Sequence, residues 1–306
     1  MTIIQDVEHY VTLKQTLGYK FAAQERNLRT FASFAEERGD CYLRKKTILE
    51  WAAQAQSNKG SINRLRTVRA FAISMHAEDD RHEIPPSDTF GRALKRRSVP
   101  FLLSRTQIER ILEAARHLPP RASITPYTHR CIIGLLAATG MRVSEAVALQ
   151  MSDITADGLV VRESKFRKSR LIPIHATTRE ALKHYLSVRR LIGGPSGHLF
   201  VLSTGEPPDH ATVSRAFLKL ARKTGLRGGP GQRGPRLHDL RHSFAARSLE
   251  QCPRDKVFVD RHMLALSTYL GHACLSDTFW YLEATPEILR KISMATEAAR
   301  QGRNQQ

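Results

Sequence analysis

Long apolar runs are missing from this 306-residue sequence. None reaches the roughly 20 residues that cross a bilayer as a helix. The opening stretch, Met1-Thr2-Ile3-Ile4-Gln5-Asp6, has no basic segment followed by an apolar one of the kind that directs export. A soluble, unsecreted protein is expected. Cysteine is scarce too: Cys41, Cys131, Cys252 and Cys274 form no Cys-x-x-Cys pair and no paired framework, which fits a reducing compartment and reduced, packing thiols. Internal repeats and low-complexity tracts are also absent. Acidic residues are outnumbered, 29 Asp and Glu against 48 Lys and Arg, leaving a net charge of +19. Such an excess points to a polyanionic partner, nucleic acid above all. On charge alone a ribosomal-type or merely soluble basic surface stays open; an acidic membrane is a third reading, but no long basic amphipathic helix supports it.

Hydrophobic residues at 41% and charged residues at 25% are ordinary globular values, so the chain is expected to fold. At roughly 100 to 200 residues per domain the length suggests two domains. Residues 1 to about 84 read as helical. Val7, Tyr10, Leu13 and Leu17 recur at helical spacing, as do Leu28, Phe31, Phe34 and Ala35, and a third helix covers Thr47 to Gln54. A fourth follows Gly60-Ser61, with Ile62, Leu65, Val68, Ala72 and Met75 on one face. Its other face carries Asn63, Arg66 and Arg69 in one stripe, with Lys59 and Arg64 nearby. That stripe is a candidate DNA-binding surface; a solvated helix face explains it equally well. Pro85-Pro86 ends the helical unit. Lys95-Arg96-Arg97 then lies in a basic linker suited to follow a phosphate backbone.

A second domain starts near Phe101. Ser104 is placed as the N-cap of a helix through Ile108, Ile111 and Leu112, and Cys131 to Ala138 reads as a buried helix that breaks at Thr139-Gly140. Two short β-rich runs, Leu159 to Arg162 and Arg170 to Ile174, are joined by a charged turn from Glu163 to Ser169, which predicts a hairpin with lysines at its bend. Thr178 to Arg190 and Thr212 to Lys223 read as helices, and a loop from Gly225 to Pro235 delivers the chain to Leu237.

Three segments carry candidate chemistry. In Thr139-Gly140-Met141-Arg142-Val143-Ser144-Glu145 a glycine turn precedes a helix whose first residues would aim a guanidinium and backbone donors at one spot, an arrangement that suits a phosphate. An ordinary helix start with a surface arginine fits the same residues. His238-Asp239-Leu240-Arg241-His242 puts His238 and Arg241 one turn apart, able to face one cluster of oxygens. His238 and His242, at i and i+4, are alternatively a zinc pair, although the segment lacks the internal Glu of the hydrolase motif and no third ligand is nearby. Gly271-His272 is followed by Thr278-Phe279-Trp280-Tyr281-Leu282, where the aromatics could be a nucleophile with its neighbours or simply core.

The order of these elements, Arg142, a hairpin lysine, His-x-x-Arg, Gly-His, then Tyr, closely resembles the tyrosine recombinase family, of phage-integrase or Xer type, over most of residues 101 to 290. The resemblance implies a mainly α fold with a small antiparallel β-sheet in a two-domain, C-shaped DNA clamp. Residues 1–91 would form a four-helix core-binding domain, 92–100 the basic linker, 101–290 a mixed α/β catalytic domain, and 291–306 a tail that docks either in cis or on a neighbouring protomer. It places Arg142, His238, Arg241 and His272 around the scissile phosphate and Tyr281 as nucleophile. Ser164 to Arg170 resembles the family hairpin whose first lysine is catalytic, giving Lys165 rather than Lys168. Glu145 falls at a supporting acidic position. The segment from Ser248 to Leu266 is longer than the family's usual connection and leaves helix boundaries there open.

The chemistry needs such a set. Negative charge grows on the non-bridging oxygens of a phosphodiester under attack, and forked guanidinium donors match those oxygens; losing one preorganised donor typically slows reaction by about 10² to 10³. A free phenol with a pKa near 10 is about one part in a thousand phenolate at neutral pH, so Tyr281 needs a proton acceptor. By resemblance that is His238, with His272 a hydrogen-bonding stabiliser and Lys165 the acid for the departing 5′ oxygen. The product is a 3′-phosphotyrosine link, and neither metal nor other cofactor is expected. The expected partner is double-stranded DNA, bound by a homodimer or tetramer and in some systems with a partner recombinase, in a prokaryotic cytoplasm at the nucleoid. Site-specific strand exchange for a mobile element is the expected function. Type IB topoisomerase-like relaxation and a non-catalytic DNA-binding regulator are the alternatives.

Overall fold

The computed structural model describes residues 2–19, 21–91, 99–162, 169–192, 194, 196–229, 231–252 and 256–271, together with 274, 276, 278, 279 and 281. The chain divides into two compact units, Met1–Arg97 and Ser98–Gln306.

In the first unit, α1 (Ile3–Thr16) opens with a capping box: Thr2 Oγ1 accepts from the Gln5 amide at 3.3 Å while Gln5 Oε1 accepts from the Thr2 amide at 3.0 Å. It buries Ile3, Val7, Tyr10 and Val11. Leu13 and Leu17, expected on that face, are 46% and 61% exposed. Steps of three residues fall about 60° short of a full turn, so the Val7, Tyr10, Leu13 series drifts off the core, and Leu17 is the C-cap residue beyond the last turn. α2 (Ala22–Glu36) buries Leu28, Phe31, Ala32 and Ala35; α3 (Lys45–Ala53) buries Ile48, Trp51 and Ala52. α4 (Asn58–Glu78) starts before the expected Gly60-Ser61 break: Ser57 caps it by accepting from the Gly60 amide at 3.2 Å, which places Gly60 inside the first turn. Tyr10 meets Phe71, and Phe31 meets Trp51, at ring separations of 5.2 and 5.5 Å, tying the four helices into one core.

In the second unit, Ser104 caps α5 (Arg105–Ala115) with Gln107 as its capping-box partner. α6 (Thr125–Thr139) is the central helix, packed by α5 and by four later helices. Its apolar run is buried on most sides, as an interior helix requires, and it stops at Gly140, whose φ of +62° is the left-handed conformation of a helix terminus. α7 (Val143–Ala148) leads through a 3₁₀ turn, Met151–Asp153, into β1 (Leu159–Val161), which pairs antiparallel with β2 (Arg170–Ile172), Val161 opposite Arg170. α8 (Ala176–Ile192) and α9 (His210–Lys223) follow, then α10 (Asp239–Glu250) and α11 (Lys256–Leu270). The long segment after Ser248 therefore ends α10 and builds α11. Thr278, Phe279 and Tyr281 are again helical, and Tyr281 packs with Ala245, Leu249, Met263, Leu266 and Leu270. No helix of the described residues is long and apolar enough to cross a membrane.

Candidate active site

Two turns and one strand deliver three guanidiniums. Arg142 stands at the N-cap of α7 rather than inside it; its backbone amide donates to Glu145 Oε2 at 2.9 Å and its side chain to Glu145 Oε1 at 2.8 Å and to the Gly271 carbonyl at 2.7 Å. Arg241, in the first turn of α10, is 3% exposed, and its two terminal nitrogens donate to the carbonyls of Gly140 at 2.8 Å and Leu270 at 2.7 Å. Segments more than a hundred residues apart in sequence thus fix each fork. The third guanidinium, Arg170 on β2, was not among the sequence candidates. It donates to both Glu145 oxygens, at 3.1 and 2.7 Å, and to the Tyr269 carbonyl at 2.9 Å. Leu171 is exposed while Ile172 is buried, so the two-residue strand period puts Arg170 on the inward face.

Glu145 is the carboxylate shared by Arg142 and Arg170. Burial acts to raise its pKa, but the hydrogen bonds from Arg170 and Arg142 outweigh it and hold the carboxyl below its ordinary value. Among the described residues one carboxylate, Glu145, is bonded to this set of three guanidiniums. Burial first, and then repulsion from Arg142, pulls Arg241 down to about 10, a strain that an arriving phosphate anion would relieve. The arrangement is open to such an anion: His238, Arg241, Arg236, Met141 and Val143 line a cleft of about 370 Å³. His238 is exposed on its cleft side, yet the protein mass around it desolvates the ring. That desolvation, ahead of the charge on Arg241, lowers its pKa and leaves a neutral imidazole at pH 7.

Tyr281 is 3% exposed. Its hydroxyl lies 3.1 Å from Nδ1 of His242, with the rings 5.5 Å apart. Sequence reasoning weighed His242 only as a zinc ligand beside His238. The two rings stand perpendicular with centroids 4.6 Å apart, and Nδ1 of His242 is turned to Tyr281. Among the described residues no group of three or more His, Cys, Asp or Glu is placed to hold a metal ion. Asp239 is buried and accepts from the Arg236 amide at 2.6 Å, while Ser243 accepts from the Leu103 amide at 2.8 Å and anchors α10.

Lys165 and His272, with Lys95, Arg96 and Arg97, lie outside the described residues. On α4, Lys59, Asn63 and Arg66 are exposed; Arg69 is partly buried and donates to the Pro85 carbonyl at 3.0 Å. Arg64 is spent on Trp51, bonding its carbonyl at 3.0 Å and stacking on its ring. It serves the fold rather than the stripe.

The second unit is mainly helical and presents arginine forks beside a cleft and a tyrosine on a histidine. Residues 102–287 match the model of the phage integrase family. A putative integrase/recombinase of Sinorhizobium fredii, y4rB, is 37% identical over 97% of both chains, and the tyrosine recombinase XerC of Thermodesulfovibrio yellowstonii is 25% identical over 90% of this chain and 89% of its own. The structure of a lambda integrase dimer bound to a COC′ core site superposes with a TM-score of 0.64 at 21% identity, covering 92% of this chain and 95% of that one, and shows the same fold. The chain belongs to the phage integrase family, the tyrosine recombinases, and is a site-specific recombinase that breaks and rejoins DNA.

Proposed function

We propose that this recombinase moves a mobile element by integration, excision or transposition, with Tyr281 attacking the scissile phosphate to leave a 3′-phosphotyrosine and a free 5′-hydroxyl. The observation that carries the reading is the Tyr281 phenol held on His242, the residue next to Arg241, whose guanidinium shares one charged cluster with Arg142 and the steadying Glu145. The forks would take the two non-bridging oxygens, and His238, neutral and open to the cleft, would bond one of them. Lys165 would protonate the 5′ oxygen and His272 would steady the phosphoryl group. Transfer to Tyr281 conserves the bond energy, so a second 5′-hydroxyl can reverse the attack and seal a new joint without ATP.

Lys59, Asn63, Arg66 and Arg69, with Lys95, Arg96 and Arg97, would hold the duplex backbone, residues 1–91 and 101–290 acting as two DNA-gripping domains. Residues 291–306 would dock on a second protomer in a dimer or tetramer on DNA, the work taking place in the cytoplasm on the nucleoid. The test is a nicked suicide duplex cut from the DNA flanking the gene. Wild-type protein should form a denaturant-resistant adduct on it; Tyr281→Phe should bind with near wild-type affinity and form none. An adduct with Tyr281→Phe, or relaxation of any supercoiled plasmid without site preference, would overturn the reading.

A further inference from the structure

The geometry points to His242, not His238, as the group that takes the phenolic proton when Tyr281 attacks. This deepens the proposed function and rests on it. Three observations converge. His242 Nδ1 is 3.1 Å from the Tyr281 oxygen, a distance at which a proton passes directly. Its ring lies against the phenol at 5.5 Å between centroids and an interplanar angle of 57°, so the contact is a packed one. His238, one turn earlier at the N-cap of α10, faces the cleft with Arg241 and Arg236 instead. The perpendicular pair of imidazoles divides two tasks: His238 addresses the phosphate and His242 addresses the nucleophile.

The step balances. In the reactive tautomer Nδ1 carries a lone pair and Nε2 the hydrogen. As the Tyr281 oxygen forms its bond to phosphorus, the O–H bond breaks and its proton moves to Nδ1. The P–O5′ bond breaks with its electron pair leaving on the 5′ oxygen, which is protonated separately. In the rejoining step the incoming 5′-hydroxyl returns its proton to the group that protonated the 5′ oxygen in cleavage, phosphorus returns to that oxygen, and the imidazolium of His242 restores the proton to the departing phenolate. Charge balance favours the transfer at the right moment: a second cation beside Arg241 is tolerated once the pentavalent phosphoryl group adds negative charge to the cleft.

His242→Asn is the informative variant, because the asparagine amide occupies the place of Nδ1 and keeps a hydrogen bond to the phenol without accepting a proton. On the nicked suicide duplex from the flanking DNA, its adduct should form about 10² to 10⁴ times more slowly than wild type, with unchanged DNA affinity and thermal midpoint. A 5′-bridging phosphorothiolate at the scissile position, whose sulfur departs without a proton, should not restore the rate. A rate within threefold of wild type, or restoration by the phosphorothiolate, would overturn the inference, since the second result would assign His242 to the leaving group. Nitrogen-15 NMR of the histidines in full-length wild-type protein tests it independently of any variant: His242 should be the Nε2–H tautomer, and a proton on Nδ1 would overturn it. A wild-type protein that forms no adduct would sink the proposed function and this inference together; a fast adduct with His242→Asn would sink this inference alone.

Discussion

At the scale of single residues, two tyrosines compete for the role of nucleophile. Tyr269 stacks on Phe244 at 5.6 Å, and burial pushes its phenol up to about 12; deprotonating it is harder than for a free phenol. Tyr281 has an imidazole on its oxygen. The motif order in the sequence already separated them, because only Tyr281 follows Gly271-His272 at the family spacing. The partner of Tyr281 was not legible: His242 had the spacing of a zinc pair with His238, and only tertiary packing turns it to the phenol. Glu145 gives a residue-scale prediction. Its folded pKa is depressed, so its contribution to stability is present above the unfolded value near 4.5 and is lost as pH falls through the lower folded value. Glu145→Gln should therefore lower the thermal midpoint at pH 7, with the gap to wild type closing below about pH 4.5. A gap of constant size from pH 7 to pH 3 would show that the charge of Glu145 is not what holds Arg142 and Arg170.

Among the elements, helices with strong apolar periodicity were readable to within a few residues, and the hairpin was recovered from its β-rich runs and charged bend. What failed were ends and faces. α4 begins ahead of its glycine because Ser57 supplies a cap, and Leu13 and Leu17 sit off the core of α1 although their spacing is helical. Arg170 was passed over because a strand of three residues shows its inward face only once it is paired. The turn after α6 has the sharpest consequence. Gly140 holds φ at +62°, its carbonyl accepts from Arg241, and a Cβ there would lie 2.5 Å from Phe244 Cδ1. Gly140→Ala should destabilise the second unit by about 1–3 kcal/mol through backbone strain and overpacking and should slow adduct formation more than DNA binding, because the displaced carbonyl no longer aims Arg241. Wild-type stability and cleavage in that variant would contradict this account of the turn. Asn63 and Arg66 project from α4 into solvent while Arg64 is consumed by Trp51, a sorting that helical spacing alone could not make.

For the molecule as a whole, the net charge of +19 named a polyanion, and the ordered motif named the family; both were legible because charge and order survive without coordinates. The assembled site was not, since Arg142, Arg170, Arg241 and Tyr281 meet only through contacts between segments far apart in the chain. The central claim is that this assembly makes Tyr281, and no other group, the covalent bridge to DNA. The most direct measurement is tandem mass spectrometry of the tryptic peptide 262–290, which holds both Tyr269 and Tyr281, from protein trapped on the nicked duplex and digested with nuclease. The account predicts a nucleotide 3′-phosphate on Tyr281 with Tyr269 unmodified; an adduct on Tyr269 or on another residue, or a 5′-phosphate linkage, would contradict it.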